Sequence, residues 1–292
     1  MAKRADARQR LLLEILAQSE DPRYLEELAQ QLQCDSRTVR RDLDELQRLL
    51  QKVRNIEVRR GKVFVTRSEF SPGYFTSQLE RNMPAKEAIA RAVVRSLPDG
   101  AAIALTAGST PYMVAREIRR TVVEGLPPHN LIVFTNSLPA FLELIAASVM
   151  TGVLGEIYST EDCALHAPEF HSAFQPGIAI IGVSGLVFGA GVGLELFSHR
   201  AEEAAFMKQL LANVPEVIIV VDRSKLGNRH PWSFGGSVLH NKRVRLVTDR
   251  LNAEQREELD ALREWLTRHG TRFSYEVAMD SGETTQGAGA TG

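Results

Sequence analysis

Apolar positions in the first fifty residues recur at helical spacing in three short bursts. Residues 6–18 place Leu11, Leu12, Ile15 and Leu16 on one face, and Leu25, Leu28, Ala29 and Leu32 mark a shorter second helix. Val39, Leu43, Leu46 and Leu50 mark a third. The polar run Ser19-Glu20-Asp21-Pro22 separates the first two helices, and Gln33-Cys34-Asp35 tightly connects the second to the third. Asp35 can accept the free N–H groups of the third helix's first turn, and Cys34 suits a small apolar slot between helices. Ile56-Glu57-Val58 and Val63-Phe64-Val65 read as strands around Arg59-Arg60-Gly61-Lys62, where glycine permits a tight turn. Three helices and a basic hairpin predict a winged helix-turn-helix over residues 1–67.

Residues 68–76, with Pro72 and Gly73, read as a linker. Residues 77–97 read as one amphipathic helix, with Ile89, Ala92, Val93 and Leu97 inward and Lys86, Arg91 and Arg95 outward. Pro84 sits in its first turn or restarts it. From there apolar runs alternate with amphipathic stretches. Strands are expected at Ala101–Thr106, Leu131–Phe134, Gly152–Tyr158, Ile178–Gly182, Val217–Val221 and Arg243–Val247. Helices are expected at Pro111–Thr121, Leu138–Ser148, His199–Asn213 and Ala253–His269. This pattern predicts an α/β domain over 77–279, doubly wound around a largely parallel sheet. Residues 280–292 are small and polar and read as a disordered tail.

Charge separates the two parts. Residues 1–67 hold 15 Lys+Arg against 11 Asp+Glu, whereas the whole chain of 292 residues has 35 against 36. A basic head on an acidic body points to a polyanionic partner for the head. A hydrophobic content of 44% excludes a disordered or fibrous chain. The two cysteines, Cys34 and Cys163, form no CxxC pair, which argues against a disulfide framework and fits a reducing, cytoplasmic setting. The start MAKRADARQR lacks the apolar core of a signal peptide, and no apolar run is long enough to span a membrane.

With Val39, Leu43 and Leu46 inward, Ser36, Arg37, Thr38, Arg40 and Arg41 crowd the outward face of the third helix's N-terminal half. That half enters the major groove in a helix-turn-helix, where arginine can hold guanine or phosphate bidentately. Arg59, Arg60 and Lys62 at the hairpin tip can reach phosphates or a minor groove. A competing reading pairs Arg40 and Arg41 with Asp44 and Glu45 on a solvated face. The run Tyr24-Leu25-Glu26-Glu27-Leu28-Ala29 and the string Thr38-Val39-Arg40-Arg41-Asp42-Leu43-Asp44-Glu45-Leu46 resemble the DNA-binding head of the DeoR family of bacterial regulators. The wing departs from the family pattern, lacking its His-Gly-Gly-Ala segment.

In the body, four polar loops follow predicted strands, where α/β sheets hold ligands. Thr106-Ala107-Gly108-Ser109-Thr110 opens a helix whose N–H groups, hydroxyls and dipole suit a phosphate. Thr135-Asn136-Ser137, Gly182-Val183-Ser184-Gly185 and Asp222-Arg223-Ser224-Lys225 follow later strands, and Lys225 offers a point charge. The expected effector contacts are Thr106, Gly108, Ser109, Thr110, Asn136, Ser137, Gly182, Ser184, Lys208 and Lys225. These loops, with Lys86-Glu87-Ala88-Ile89-Ala90, Glu202-Glu203-Ala204-Ala205-Phe206-Met207-Lys208 and Val247-Thr248-Asp249, look like motifs of the family's sugar-phosphate sensor domain. The resemblance covers roughly residues 6–250. It implies a fold shared with ribose-5-phosphate isomerase, a double-stranded DNA operator and a phosphorylated small-molecule effector; a homo-oligomer, dimer or tetramer, is expected because one winged helix offers a small footprint and two half-sites add effective concentration. Two departures bear on the ligand: Thr106 replaces an aspartate, and Gly155-Glu156 replaces a Gly-Gly.

The alternative is a sugar-phosphate isomerase with an appended DNA-binding head. Such an enzyme needs a carboxylate base and a lysine at the substrate. Ile181-Gly182-Val183-Ser184-Gly185 has no carboxylate where the isomerase carries Asp-Gly-Ala-Asp-Glu, so no catalytic residue is assigned. Cys163, His166, Glu169 and His171 fall in an expected loop without a recognisable metal-ligand spacing, and no metal or cofactor is expected. His230-Pro231-Trp232 reads as a packed turn.

Overall fold

The computed structural model describes residues 8, 9, 11, 12, 15, 16, 23–50, 54–59, 61–67, 74–159, 163–166 and 175–278. The chain divides into two compact units, Met1–Ser77 and Gln78–Gly292.

In the first unit, residues 8, 9, 11, 12, 15 and 16 are helical. Strand β1 (Arg23–Tyr24), helix α1 (Leu25–Gln31), helix α2 (Ser36–Leu50), β2 (Arg54–Arg59) and β3 (Lys62–Arg67) follow. The strands form an antiparallel sheet in the order β1-β3-β2, turning at Gly61 with φ of 75°. The two-residue β1, which adds a third strand to the hairpin, is not visible in the hydrophobic pattern. Leu12, Leu16, Leu25, Leu28, Val39, Leu43, Leu46 and Val63 form the core, with Cys34 packed against it. Burial pushes the Cys34 thiol up, as an apolar slot should. Leu11, expected on the inward face, is exposed. Buried Asp42 accepts from Arg8 Nε at 2.5 Å and Nη2 at 3.0 Å, fastening the first helix to α2. Arg60 lies outside the described residues.

The second unit is built on seven parallel strands in the order β15-β14-β12-β9-β4-β5-β6. These are β4 (Ala102–Leu105), β5 (Ile132–Thr135), β6 (Met150–Val153), β9 (Ile178–Gly182), β12 (Glu216–Val220), β14 (Arg243–Thr248) and β15 (Arg272–Val277). The chain winds outward from β4 to β6, then returns to β9 and winds the other way, so the strand order reverses between β4 and β9. Helices α4 (Met83–Arg95), α5 (Ser109–Val123) and α6 (Leu138–Ala146) pack on one face through Ile89, Val93, Val114, Ile118 and Leu144. Helices α7 (Ala201–Ala212) and α8 (Ala253–Arg268) pack on the other through Phe206, Leu210, Leu259 and Leu262. Continuous runs such as Ile178–Gly182 are buried because both faces are covered.

Several expectations need correction. The helix expected over 77–97 is two, α3 (Tyr74–Glu80) and α4, broken at Asn82 with φ of 54°; Pro84 lies in the first turn of α4. Residues 74–76 of the expected linker lie in α3, and 68–73 lie outside the described residues. The strand expected at Gly152–Tyr158 is β6 and a separate β7 (Ile157–Ser159), which pairs with β8 (Ala164–His166). Gly155 breaks it: its φ is 120°, and a Cβ there would lie 2.8 Å from the Leu165 backbone. β10 (Gly185–Gly189) and β11 (Gly193–Ser198), with β13 (Trp232–Ser233), form an antiparallel sheet that the glycine-rich sequence concealed. β15 was also missed. Residues 280–292 lie outside the described residues.

Candidate functional site

In the head, Asp35 caps α2 as its position suggested. Its Oδ1 accepts the Thr38 N–H at 2.8 Å and its Oδ2 accepts the Thr38 hydroxyl at 2.9 Å. These bonds hold the Asp35 carboxyl below the usual range. The Thr38 hydroxyl, expected to face DNA, is therefore engaged in the cap. Arg37, Arg40 and Arg41 are exposed and Ser36 is half-buried, while Val39, Leu43 and Leu46 are buried beneath them. Among the described residues no hydrogen bond or ion pair ties Arg40 or Arg41 to Asp44 or Glu45; Glu45 instead accepts from Gln9 at 2.9 Å. The first half of α2 thus presents three cations on a face whose opposite side anchors the fold. Lys62 sits at the start of β3 with Nζ 4.7 Å above the Tyr24 ring, and Arg59 ends β2.

In the body, the expected loops converge where the strand order reverses, the position at which open α/β sheets form a crevice. Gly108, at φ of 130°, caps α5 without a side chain, leaving the helix start open. Pro111 lacks an N–H, so Ser109 and Thr110 supply the free donors of the first turn. Pro111 is wedged against β9: a Cβ on Gly182 would meet its Cγ at 2.9 Å. Thr106 reaches across the switch point and accepts the Gly182 N–H at 3.1 Å. Asn136 braces the same loop, with Oδ1 accepting the Ala107 N–H at 2.7 Å and Nδ2 donating to the Leu165 carbonyl at 3.3 Å. Ser137 caps α6 by accepting the Ala140 N–H at 3.3 Å. Thr106, Asn136 and Ser137 are all buried, with these groups engaged inside the protein. They set the loops in place; Ser109, Ser184 and Lys225 are half-buried and Thr110 is buried.

Ser184 leads to a basic cluster. Its carbonyl accepts from the His230 ring, and the His230 and His199 rings meet edge to face with centroids 3.8 Å apart. Burial, His230, Lys225 and Arg200 push His199 down to about 3, and burial and Lys225 push His230 down. The loop carrying these groups is stitched to β10: Gly227 donates to the Leu186 carbonyl at 2.7 Å, and a Cβ on Gly185 would meet the Asn228 carbonyl oxygen at 2.4 Å. Asp222 is buried and accepts from Asn82 and from the Ser224 N–H, each at 3.0 Å. Burial pushes its carboxyl up, but those bonds and nearby Lys86 outweigh burial and hold it low.

Lys86, expected on the outer face of its helix, is only 2% exposed. Its ammonium donates to the carbonyls of Gln78 and of Arg81, the latter at 2.6 Å. Burial pushes Lys86 down to about 8; Asp222 opposes this, while Lys225 and Arg81 add to it. An unfolded lysine keeps its proton to about pH 10.4. Between these values the unfolded chain binds more protons, so stability should rise with pH through that window, by roughly 2–3 kcal/mol. Melting temperature measured from pH 7 to 10 should show this rise, and Lys86→Met should flatten it. An equal slope in both proteins would contradict the assignment.

Lys208 falls outside the cluster. It is exposed on α7, seven residues past the helix start, or about 10 Å of rise. Periodicity placed Lys86 wrongly because its partners lie at a helix break and on a loop 136 residues away, and it gave no sign of the His199–His230 contact. Glu169 and His171 of the Cys-His-Glu-His group lie outside the described residues, and no group of three metal-ligating side chains occurs among the described residues. Among the same residues no helix is long and apolar enough to cross a membrane.

Residues 81–250 match the DeoR C-terminal sensor domain, and residues 8–66 match an HTH domain. The chain is 26% identical over 259 residues to the HTH-type transcriptional regulator GlpR of Haloferax volcanii, covering 87% of this chain and 94% of that one. It is 28% identical over 216 residues to the glycerol-3-phosphate regulon repressor of Escherichia coli, covering 72% and 79%. It is 34% identical over 138 residues to the L-fucose operon activator of Escherichia coli, covering 47% and 52%. Among solved structures, ribose 5-phosphate isomerase A of Methanocaldococcus jannaschii aligns with a TM-score of 0.37 at 21% identity, over 50% of this chain and 55% of that one.

Proposed function

Because this chain belongs to the DeoR family of DNA-binding transcriptional regulators, we propose that its body senses a phosphorylated sugar or related metabolite and that binding alters the head's hold on an operator. The observation that supports the ligand class is the start of α5, which carries no side-chain cap and follows β4 at the switch point, with Lys225 after β12 as the nearby source of positive charge. A phosphate dianion meets N–H donors and a helix dipole at Ser109 and Thr110, and a point charge at Lys225. In this reading Ser184 meets the ligand's hydroxyls. Glycerol 3-phosphate is the first probe, since one relative is named for a glycerol-3-phosphate regulon.

The regulator acts as a repressor in this reading and works as a homo-oligomer, since one winged helix covers a single half-site. It performs no isomerisation: the loop Gly182-Val183-Ser184-Gly185 brings no carboxylate to the crevice. A thermal-shift series comparing phosphorylated and unphosphorylated forms of each sugar tests the ligand class. A rise in melting temperature with the phosphorylated form alone is expected, because a ligand that binds only the folded state stabilises it. Equal shifts from both forms would contradict it.

A further inference from the structure

His199 follows β11 and His230 precedes β13, and their rings meet edge to face with centroids 3.8 Å apart. Ser184, just beyond the end of β9, fixes their place in the fold. Its N–H donates to the Phe197 carbonyl at 2.9 Å, and its carbonyl accepts from the His230 ring. Gly182, the last residue of β9, lies against Pro111 in the first turn of α5. The histidine pair is thus tied to the same strand end as the start of α5.

The charges that bear on the pair are of one sign. Lys225 and Arg200 disfavour a proton on His199, and Lys225 disfavours one on His230. Arg229 adds a cation, its guanidinium 5.8 Å from the centre of the Phe197 ring. The carboxylates of the adjoining elements are directed elsewhere. Asp222 accepts from Asn82 and Ser224, Glu203 of α7 accepts from the Ser198 hydroxyl, and Glu202 is exposed. Such a cluster leaves its counter-charge to an anion from outside.

We propose that His230 is a ligand-binding residue of this site: when a phosphate dianion arrives, its ring takes a proton from solvent and donates its second N–H to the phosphoryl group. A neutral imidazole has one N–H, and in His230 the Ser184 carbonyl takes it. The other ring nitrogen is then an acceptor, which repels a phosphate oxygen. Protonation turns it into a donor and keeps the bond to Ser184. In the free protein burial and Lys225 hold His230 neutral, and an anion in contact reverses that balance. His199, more deeply buried and pushed down to about 3, stays neutral and braces the ring. The inference rests on the reading that the body senses a phosphorylated ligand, and adds that binding consumes a proton.

Calorimetry at pH 7 in two buffers of different ionisation enthalpy counts that proton, with glycerol 3-phosphate as the first probe and inorganic phosphate as the second. Wild type should take up roughly half a proton or more per ligand, and its affinity should fall at least about 3-fold from pH 7 to 8. Other sources are separable by sign or size. Lys86, held at about 8, is already mostly charged at pH 7. The phosphate, whose second pKa is about 6, can only lose a proton on binding as the dianion. His230→Gln keeps a donor for the Ser184 carbonyl and cannot titrate, so it should bind about 10-fold more weakly and take up no proton. A wild type that binds without proton uptake overturns the role of His230 and leaves the phosphate reading standing, and this readout needs no variant. A His230→Gln protein that takes up as much as wild type does the same. Failure of both probes to bind at millimolar concentration overturns the phosphate reading and this inference together.

Discussion

Replacing Arg40 and Arg41 with alanine should weaken operator binding by at least about 30-fold at matched salt. Each specific arginine contact is worth roughly 1–3 kcal/mol, and about 1.4 kcal/mol is tenfold. Both side chains are exposed, and the fold beneath them is held by Val39, Leu43 and Leu46 and by the Arg8–Asp42 pair. The double variant should therefore melt as wild type does. Because each arginine also meets a polyanion, the slope of log affinity against log salt should become shallower. Anisotropy titrations at several salt concentrations measure both quantities. Unchanged operator affinity in a folded variant would remove α2 from the DNA interface.

Replacing Lys225 with alanine should cut affinity for the phosphorylated ligand by roughly 10- to 100-fold, the scale of a charged hydrogen bond of about 1.5–3 kcal/mol. Lys225→Gln, which removes the charge and keeps most of the side chain, should lose affinity to the same extent, which separates a charge contact from packing. The thermal shift with the phosphorylated ligand should shrink at the same time. A variant that keeps the full shift would exclude Lys225 from the phosphate site, with the DNA-binding assignment unaffected.

Much of this architecture is legible in the chain because it is written in local periodicity. Val39, Leu43 and Leu46 recur at helical spacing, and the run Ile178–Gly182 is apolar throughout because helices cover both faces of the sheet. What escaped depends on contacts distant in sequence or on glycines with more than one meaning. The glycine-rich run Gly185–Ser198 predicts no strand from its pattern, and only the pairing of Leu186 with Leu196 makes the hairpin visible. The helix break was half legible in Pro84, which lies in the first turn of α4, but the left-handed Asn82 before it is held by Asp222, 140 residues away. Asn136 was read as a ligand contact from its place after a strand, yet its amide is spent holding the Ala107 loop. A loop position identifies a neighbourhood, and the hydrogen-bond partners decide which side chains remain to meet a ligand.

Operator affinity of the wild-type protein, measured with and without a saturating phosphorylated ligand chosen by thermal shift, reads directly whether one chain couples an operator to a phosphorylated metabolite. A coupling of about 1–3 kcal/mol predicts a change of roughly 5- to 150-fold, and the operator should alter the ligand's affinity by the same factor. Operator affinity that stays the same at saturating ligand would contradict the claim.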